Sequence, residues 1–253
     1  MNQGGAATSF PGNNMMNQRG PATRFEAGKG LLRSVEQIKA VEETKALVCQ
    51  LCAKFYNLGW LYGTGGSLSI KVHEENVPKK NQIIIMTPSG AQKEMLRPQD
   101  LCTVSSDGTF VHFPSTGTKF SDSAVLFLKI YELRNAGAVI HSHALESVIV
   151  TRLDDSAKEF RVKDMEMIKG IEGHGYGDEI VIPIIENAPH ESLLANPLAE
   201  AISAYPKTRA VLVRHHGVFI WGDTWISAKT QAECYHYLFK AAVQMDKLDF
   251  FQY

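Results

Sequence analysis

The sequence is short of cysteine, of net charge and of long apolar runs. Its 253 residues contain 4 cysteines, too few for the disulfide framework of a small secreted domain. The formal net charge of −1 gives no electrostatic reason to expect nucleic acid or an anionic membrane as a partner. No apolar run approaches the ~20 residues of a membrane-spanning helix. We therefore expect an ordinary globular protein whose anion sites, if any, depend on local geometry.

The first thirty residues contain no apolar segment of the secretory-signal type and no periodic pattern. Gly, Asn, Gln and Pro dominate residues 1–30, a composition typical of disorder. We predict a disordered tail at 1–30, one folded domain over 31–253, and a reducing, cytoplasmic location.

Apolar spacing predicts alternating helices and strands over the rest of the chain. Asp107-Gly108 is a hairpin turn signal, so a mixed α/β layered domain is expected. The predicted helices cover 34–59, 121–135, 191–204 and 224–248, with a short one from 144, and the predicted strands cover 68–72, 83–86, 101–104, 109–113, 138–140, 180–185 and 210–213.

The pair Cys49-x-x-Cys52 matches half of a redox or zinc motif. Redox pairs of this kind lie at helix N-termini, where the helix dipole lowers the thiol pKa. This pair lies in the middle of a predicted helix, within an apolar stripe, and no second pair completes a zinc site. We therefore expect two buried small residues.

Four histidines are the strongest chemical signal. His141 and His143 end a predicted strand, so both side chains face one side of it. Of the neighbours His215 and His216, only one can face the same site. Three neutral imidazoles suit Zn²⁺ or a similar divalent ion, although such pairs also occur as solvated histidines. The remaining histidines, His73, His112, His174, His190 and His236, are predicted to lie on the surface.

Three loops of small residues offer backbone N–H groups and hydroxyls with little steric bulk. They are Gly63–Ser67, Thr87–Gly90 and the turn at Ser121. Such loops can bind phosphate when net charge does not help, although each one alone is better explained as an ordinary turn. Lys93 either adds charge to a bound anion or is solvated.

Taken in order, several segments resemble the class II aldolase/adducin family. They are GTGGSLSIK, TPSGAQKE, SDS, HSH, EMIKGI, IPIIEN and VLVRHHGVFIWG. The resemblance covers roughly residues 45–247 and is greatest to the methylthioribulose-1-phosphate dehydratase branch of the family.

The resemblance implies a three-layer α/β/α fold with a mainly antiparallel central sheet, in a homotetramer with active sites near subunit contacts. It implies one Zn²⁺ per subunit and a small-molecule sugar-phosphate substrate, with no nucleic acid or membrane partner. The implied residues are His141, His143 and His216 for the metal, Glu166 as catalytic acid/base, and Ser123, Gly66, Ser67, Ser89, Gly90, Ser121 and Lys93 for the substrate.

The implied reaction removes water from 5-methylthioribulose 1-phosphate in methionine salvage and yields 5-methylthio-2,3-dioxopentyl 1-phosphate. Two positions depart from the family pattern. Ser123 stands where the dehydratases carry Cys and the aldolases carry Glu, and His215 stands where an Arg usually precedes the ligand His. A hydroxyl can still hydrogen-bond substrate, whereas His215 removes a permanent charge.

Two other functions stay open. One is an aldolase or epimerase acting on another sugar phosphate, which the absence of a carboxylate at Ser123 argues against. The other is a non-catalytic module of the adducin type. The three candidate metal ligands and Glu166 argue against that module, because an interaction surface does not need them.

Overall fold

The computed structural model describes residues 35–73, 77, 82–112, 114 and 120–250. The predicted tail at 1–30 and the predicted helix cap at Ser34 lie outside these residues. The helices are α1 (Val35–Asn57), α2 (Ala124–Arg134), α3 (Leu145–Ile149), α4 (Ala195–Ala204) and α5 (Trp225–Phe250). The strands are β1 (Ser67–Lys71), β2 (Ile83–Met86), β3 (Cys102–Ser105), β4 (Phe110–His112), β5 (Ala138–Ser142), β6 (Glu159–Val162), β7 (Ile180–Ile185), β8 (Ala210–Val213) and β9 (Gly217–Gly222).

In the described ranges, nine strands form one sheet in the order β4-β3-β2-β1-β5-β9-β8-β7-β6. The pair β7–β8 is parallel and the other pairs are antiparallel. The expectation of a mainly antiparallel sheet is confirmed. Strands β1, β5 and β9 are far apart in the sequence but lie side by side at the centre of the sheet. Their ends are therefore close together.

Helices cover both faces of the sheet. Alternate strand residues point to opposite faces, and here both faces are apolar. On one face Ile70 and Ile140 join α1 and α5 in a single core cluster. On the other face Val139 and Phe219 join α2 and α4 in a second cluster. The predicted three-layer α/β/α architecture is therefore confirmed.

Some boundaries differ from the predictions for local reasons. The predicted helix over 191–204 divides into a 3-10 helix, Glu191–Leu194, and α4. Helix α2 begins at Ala124, with Ser123 as the preceding residue, and not at Ser121. Strands β6 and β9 were not predicted at all. Of the cysteine pair, Cys52 is buried and Cys49 is half-buried, both on α1.

The prediction that His236 lies on the surface is wrong. This histidine is 7% exposed and its ring lies 4.2 Å from the Trp60 ring, centroid to centroid. Neither ring nitrogen has a hydrogen-bond partner in the described part of the chain. Because burial disfavours the imidazolium, the pKa of His236 is lowered to about 3.

We expect His236→Phe to make the free energy of unfolding fall less steeply as the pH is lowered below about 6.5. Between the ordinary histidine pKa of about 6.5 and the folded value of about 3, the unfolded chain binds a proton that the folded chain does not. His236 therefore lowers the free energy of unfolding as pH falls through this window, by about 1.4 kcal/mol per pH unit. Urea unfolding of both proteins between pH 7.5 and 4.5 measures the difference, and parallel profiles would contradict the prediction.

Candidate metal centre and substrate site

The centre of the sheet brings two of the candidate metal ligands to one end. In the register of β1 and β5, Ser67 lies opposite His141, and in that of β5 and β9, His141 lies opposite Phe219. The His141 ring stacks on Phe219 with ring centroids 4.0 Å apart. His143 follows β5, and its backbone N–H donates to the Trp60 carbonyl oxygen at 2.8 Å. The His141 ring and the His143 backbone are thereby held by their neighbours.

A tight turn between β8 and β9 presents His216 to the same place. His215 adopts a left-handed conformation with φ of 55°, which reverses the chain and leaves its own ring at the surface. A Cβ atom on Gly217 would lie 2.1 Å from the Ser142 carbonyl oxygen, so only glycine permits this approach of β9 to β5. The turn thus explains why His216, and not His215, reaches the site.

Three imidazoles and one carboxylate converge at this point. The Nε2 atom of His143 lies 2.9 Å from Nε2 of His141 and 3.1 Å from Nε2 of His216. Glu191 Oε1 lies 3.0 Å from His141 Nε2 and 3.6 Å from His216 Nε2. One ligand atom from each of the four residues lies within 4.8 Å of the others. This set can hold a metal ion, and Glu191 is a member that no sequence motif predicted.

The hydrogen bonds behind the rings favour metal binding. His141 Nδ1 lies 3.2 Å from the Val218 carbonyl oxygen, and His216 Nδ1 lies 3.1 Å from Asn187 Oδ1. These oxygens accept, so each neutral ring carries its proton on Nδ1 and keeps the Nε2 lone pair for a metal. The donor set of three imidazoles and a carboxylate suits a divalent transition metal.

Burial keeps His143 and His216 unprotonated at neutral pH. Burial lowers the pKa of His143 to about 3 and that of His216 to about 4, with nearby His141 adding to both. Burial acts to raise the pKa of the Glu191 carboxyl, but the hydrogen bonds and charge of His141, Ser123 and His216 lower it to about 2. At neutral pH the ligands His143, His216 and Glu191 are thus in their metal-binding forms.

A cavity of ≈ 140 Å³ opens beside the convergent donors. It is lined by Thr64, Gly65, Gly66, Pro88, Ser89, Lys93, Ser121, Asp122, Ser123, His141, His143 and Glu191. The two small-residue loops and the turn at Ser121 therefore come together at the histidines, as one phosphate-sized site requires.

Lys93 is not solvated. It is 1% exposed, and its Nζ donates to the carbonyl oxygens of Thr64 at 2.9 Å and Ala91 at 3.1 Å. Burial lowers its pKa. The side chain joins the two small-residue loops and places an amine at the cavity wall.

Two other predicted substrate residues lie just outside the cavity lining. Ser67 is buried and donates from Oγ to Ser123 Oγ at 3.1 Å, which places it one hydrogen bond from the cavity. Gly90 has a φ of 69° and is exposed. Gly66, which does line the cavity, has a φ of 67°, and a Cβ there would lie 2.9 Å from the His141 carbonyl oxygen.

Glu166 is not among the residues that line the cavity. It begins the 3-10 helix Glu166–Gly170, its side chain is 69% exposed, and its Oε1 lies 2.7 Å from Lys169 Nζ. No contact in the described residues joins it to the histidines of its own chain. Glu166 therefore cannot act as the predicted acid/base on a substrate in this cavity of its own chain as the cavity stands.

The family model for the class II aldolase and adducin N-terminal domain matches residues 46–243. The chain belongs to the class II aldolase and adducin family. This membership places the convergent histidines and the small-residue loops in the domain that defines the family, since all of them fall within the matched residues.

Two plant proteins are close relatives of this family member. It is 57% identical over 235 residues to the "probable bifunctional methylthioribulose-1-phosphate dehydratase/enolase-phosphatase E1" of Ricinus communis, covering 90% of this chain and 45% of the relative. It is 55% identical over 225 residues to the protein of the same name from Arabidopsis thaliana, covering 87% and 44%. The chain thus spans less than half the length of these relatives.

A solved structure supports the fold of this family member. L-fuculose-1-phosphate aldolase from Thermus thermophilus superposes with a TM-score of 0.62 at 20% identity, covering 82% of this chain and 98% of that one. At this identity the likeness concerns the fold alone. Within the described residues, no helix combines the length and apolar character of a membrane span.

Proposed function

We propose that the protein is a cytoplasmic, zinc-dependent dehydratase that converts 5-methylthioribulose 1-phosphate to 5-methylthio-2,3-dioxopentyl 1-phosphate and water in methionine salvage. The observation that carries this proposal is the convergence of His141, His143, His216 and Glu191 beside a cavity walled by the small-residue loops. The names of the plant relatives support the choice of substrate.

We assign one Zn²⁺ per chain to the three Nε2 atoms. A bound metal would polarise the substrate carbonyl at C2 and thereby acidify the neighbouring C3–H bond. The chain itself holds two of the rings, through Val218 behind His141 and Asn187 behind His216. The Trp60 carbonyl oxygen holds the backbone of His143.

The substrate phosphate is assigned to the loops that face the metal centre. Gly66 and Ser89 offer open backbone and a hydroxyl, Ser121 adds a second hydroxyl, and Ser67 and Gly90 flank them. The buried Lys93 amine supplies local positive charge, which the nearly neutral chain does not supply in bulk.

The reaction needs a group that moves protons. It breaks the C3–H and C4–O bonds, expels the C4 hydroxyl as water and returns a proton to C4 as the enol becomes the second ketone. A carboxylate can take the C3 proton and then give it up. We assign this role to Glu166, whose EMIKGI segment matches the dehydratase branch.

Glu166 lies outside the cavity of its own chain, so its role requires that it enter the site of a neighbouring subunit. Exposed apolar side chains on the segments around the metal centre support such a contact: Tyr62 is 61% exposed, Leu145 62% and Leu193 59%. Apolar groups clustered around a polar site are typical of subunit contacts. We therefore propose a homotetramer with active sites near its subunit contacts.

One observation favours a second candidate, an aldolase acting on another sugar phosphate. The absence of a carboxylate at Ser123 argues against an aldolase, but the Ser123 hydroxyl donates to the Glu191 carboxylate at 2.7 Å. A carboxylate therefore stands in the site, supplied by another segment. Product analysis separates the two functions, because an aldolase cleaves a carbon–carbon bond and releases no water.

The test is turnover of 5-methylthioribulose 1-phosphate by the purified protein, with metal content measured on the same sample. We expect the dioxopentyl product and about one metal ion per chain. Carbon–carbon cleavage products would favour the aldolase. Folded protein that neither retains nor takes up Zn²⁺ and shows no turnover would overturn the proposal in favour of a non-catalytic module.

A further inference from the structure

We propose that Glu191 is the fourth ligand of the metal centre and that Ser123 is the residue that positions it. This inference deepens the proposed function and rests on its metal centre. The carboxylate comes from the 3-10 helix Glu191–Leu194, which lies outside every segment that carries the family resemblance.

The position of Glu191 Oε1 is that of a ligand. Two donors bound at about 2.1 Å to a tetrahedral zinc ion are about 3.4 Å apart. Glu191 Oε1 lies 3.0 Å from His141 Nε2 and 3.6 Å from His216 Nε2. For comparison, His143 Nε2 lies 2.9 Å from His141 Nε2 and 3.1 Å from His216 Nε2. The carboxylate oxygen is thus as close to two of the imidazole nitrogens as neighbouring ligands of one zinc ion are, and all four donor atoms lie within 4.8 Å of one another.

The hydrogen bonds behind two of the rings direct their Nε2 lone pairs toward Glu191 Oε1. His141 and His216 each carry their proton on Nδ1, because Val218 and Asn187 present acceptor oxygens there. The Asn187 orientation is fixed in turn, since its Oδ1 also accepts from the Ala188 N–H at 2.9 Å. The Nε2 atoms of the two rings and Glu191 Oε1 therefore all present lone pairs, and a shared cation satisfies them together.

Ser123 holds the other oxygen of the same carboxylate. Its Oγ donates to Glu191 Oε2 at 2.7 Å and accepts from Ser67 Oγ at 3.1 Å. The hydroxyl makes no capping hydrogen bond to α2, so its proton is available for Glu191. With Oε2 held in this way, Oε1 is left for the metal. At the position where related aldolases carry Glu and dehydratases carry Cys, this chain has a serine that orients a carboxylate from elsewhere.

Metal affinity tests the inference without substrate. We expect Glu191→Gln, which keeps shape and removes charge, to raise the Zn²⁺ dissociation constant at least about 100-fold, and Ser123→Ala to raise it about 10-fold. Ser123→Cys retains a donor and should recover part of that loss. The Co²⁺-loaded protein should show a changed visible absorption spectrum in Glu191→Gln. Glu200→Gln removes an equal charge from the exposed face of α4 and should change nothing.

Thermal unfolding of the metal-free variants confirms that each one folds before its affinity is read. Unchanged affinity and an unchanged Co²⁺ spectrum in Glu191→Gln would overturn the inference, even if the wild-type protein turns over the substrate. Glu191-dependent metal binding in a protein that does not dehydrate the substrate would support the inference and reject the proposed function. A wild-type protein that binds no metal would reject both.

Discussion

We expect His143→Ala to lose both the bound metal and the activity. His143 Nε2 lies within 3.1 Å of both other imidazole nitrogens, so the substitution removes a central donor and leaves two rings to hold the ion. A metal that polarises a carbonyl stabilises the transition state by several kcal/mol, and a loss of about 4 kcal/mol corresponds to about 10³-fold in kcat/KM. Metal content after dialysis and turnover, measured on the same sample, check both effects.

His215→Ala is the matched control. His215 adjoins a proposed ligand in sequence, but its ring is at the surface, with Nε2 3.4 Å from Asp155 Oδ1. The left-handed backbone at this position costs any residue with a Cβ roughly 1 kcal/mol. Histidine already bears this cost, so the substitution changes stability little and does not move the ligands. We expect full metal content and activity within about 3-fold of wild type, because the exposed pair with Asp155 contributes little. His143→Ala with stoichiometric metal would show that the ligand assignment is wrong.

The sequence predicted strands β2 and β7 well because nearly all of their residues are buried. Ile83–Met86 and Ile180–Ile185 are unbroken apolar runs, and both predicted strands have the same first and last residues in the structure. Strand β6 was missed because it is a short edge strand with exposed Arg161. Strand β9 was missed because it follows β8 after a turn of a few residues, which left no room for a loop signal.

In the site, too, some residues could be predicted from the sequence and others could not. His141 and His143 have a spacing that is informative without the fold, whereas Glu191 is close to them only because the sheet order places its 3-10 helix at the same end. No local pattern marks it. The buried state of Lys93 was equally hidden, since it depends on two carbonyl oxygens of the loops. His236, by contrast, lies at helical spacing from buried Ala232 and Phe239, and this spacing is a sequence signal for a buried position.

The second large effect concerns Glu166, and we expect Glu166→Gln to lower kcat by about 10³-fold while the metal stays bound. A positioned acid/base typically contributes about 10²- to 10⁴-fold, and Gln cannot accept the C3 proton. The control is Glu132→Gln. Glu132 forms an exposed pair with Lys129 at 2.6 Å, three residues apart along α2, which matches the Glu166–Lys169 pair at 2.7 Å. Loss of that surface pair alone should leave kcat unchanged.

Mixed tetramers distinguish whether Glu166 acts within its own chain or across a subunit contact. Glu166→Gln chains keep the metal ligands, and His143→Ala chains keep the carboxylate, so each homotetramer is inactive. If Glu166 enters a neighbouring site, random reassembly of equal amounts gives an intact combination at about a quarter of the sites. We therefore expect activity to recover to about a quarter of wild type after co-refolding. If Glu166 is the acid/base, activity must recover, because Glu166 lies outside the cavity of its own chain and can act only in a neighbouring one. Co-refolded tetramers that remain inactive would show that Glu166 does not enter a neighbouring site and would contradict the proposed contact.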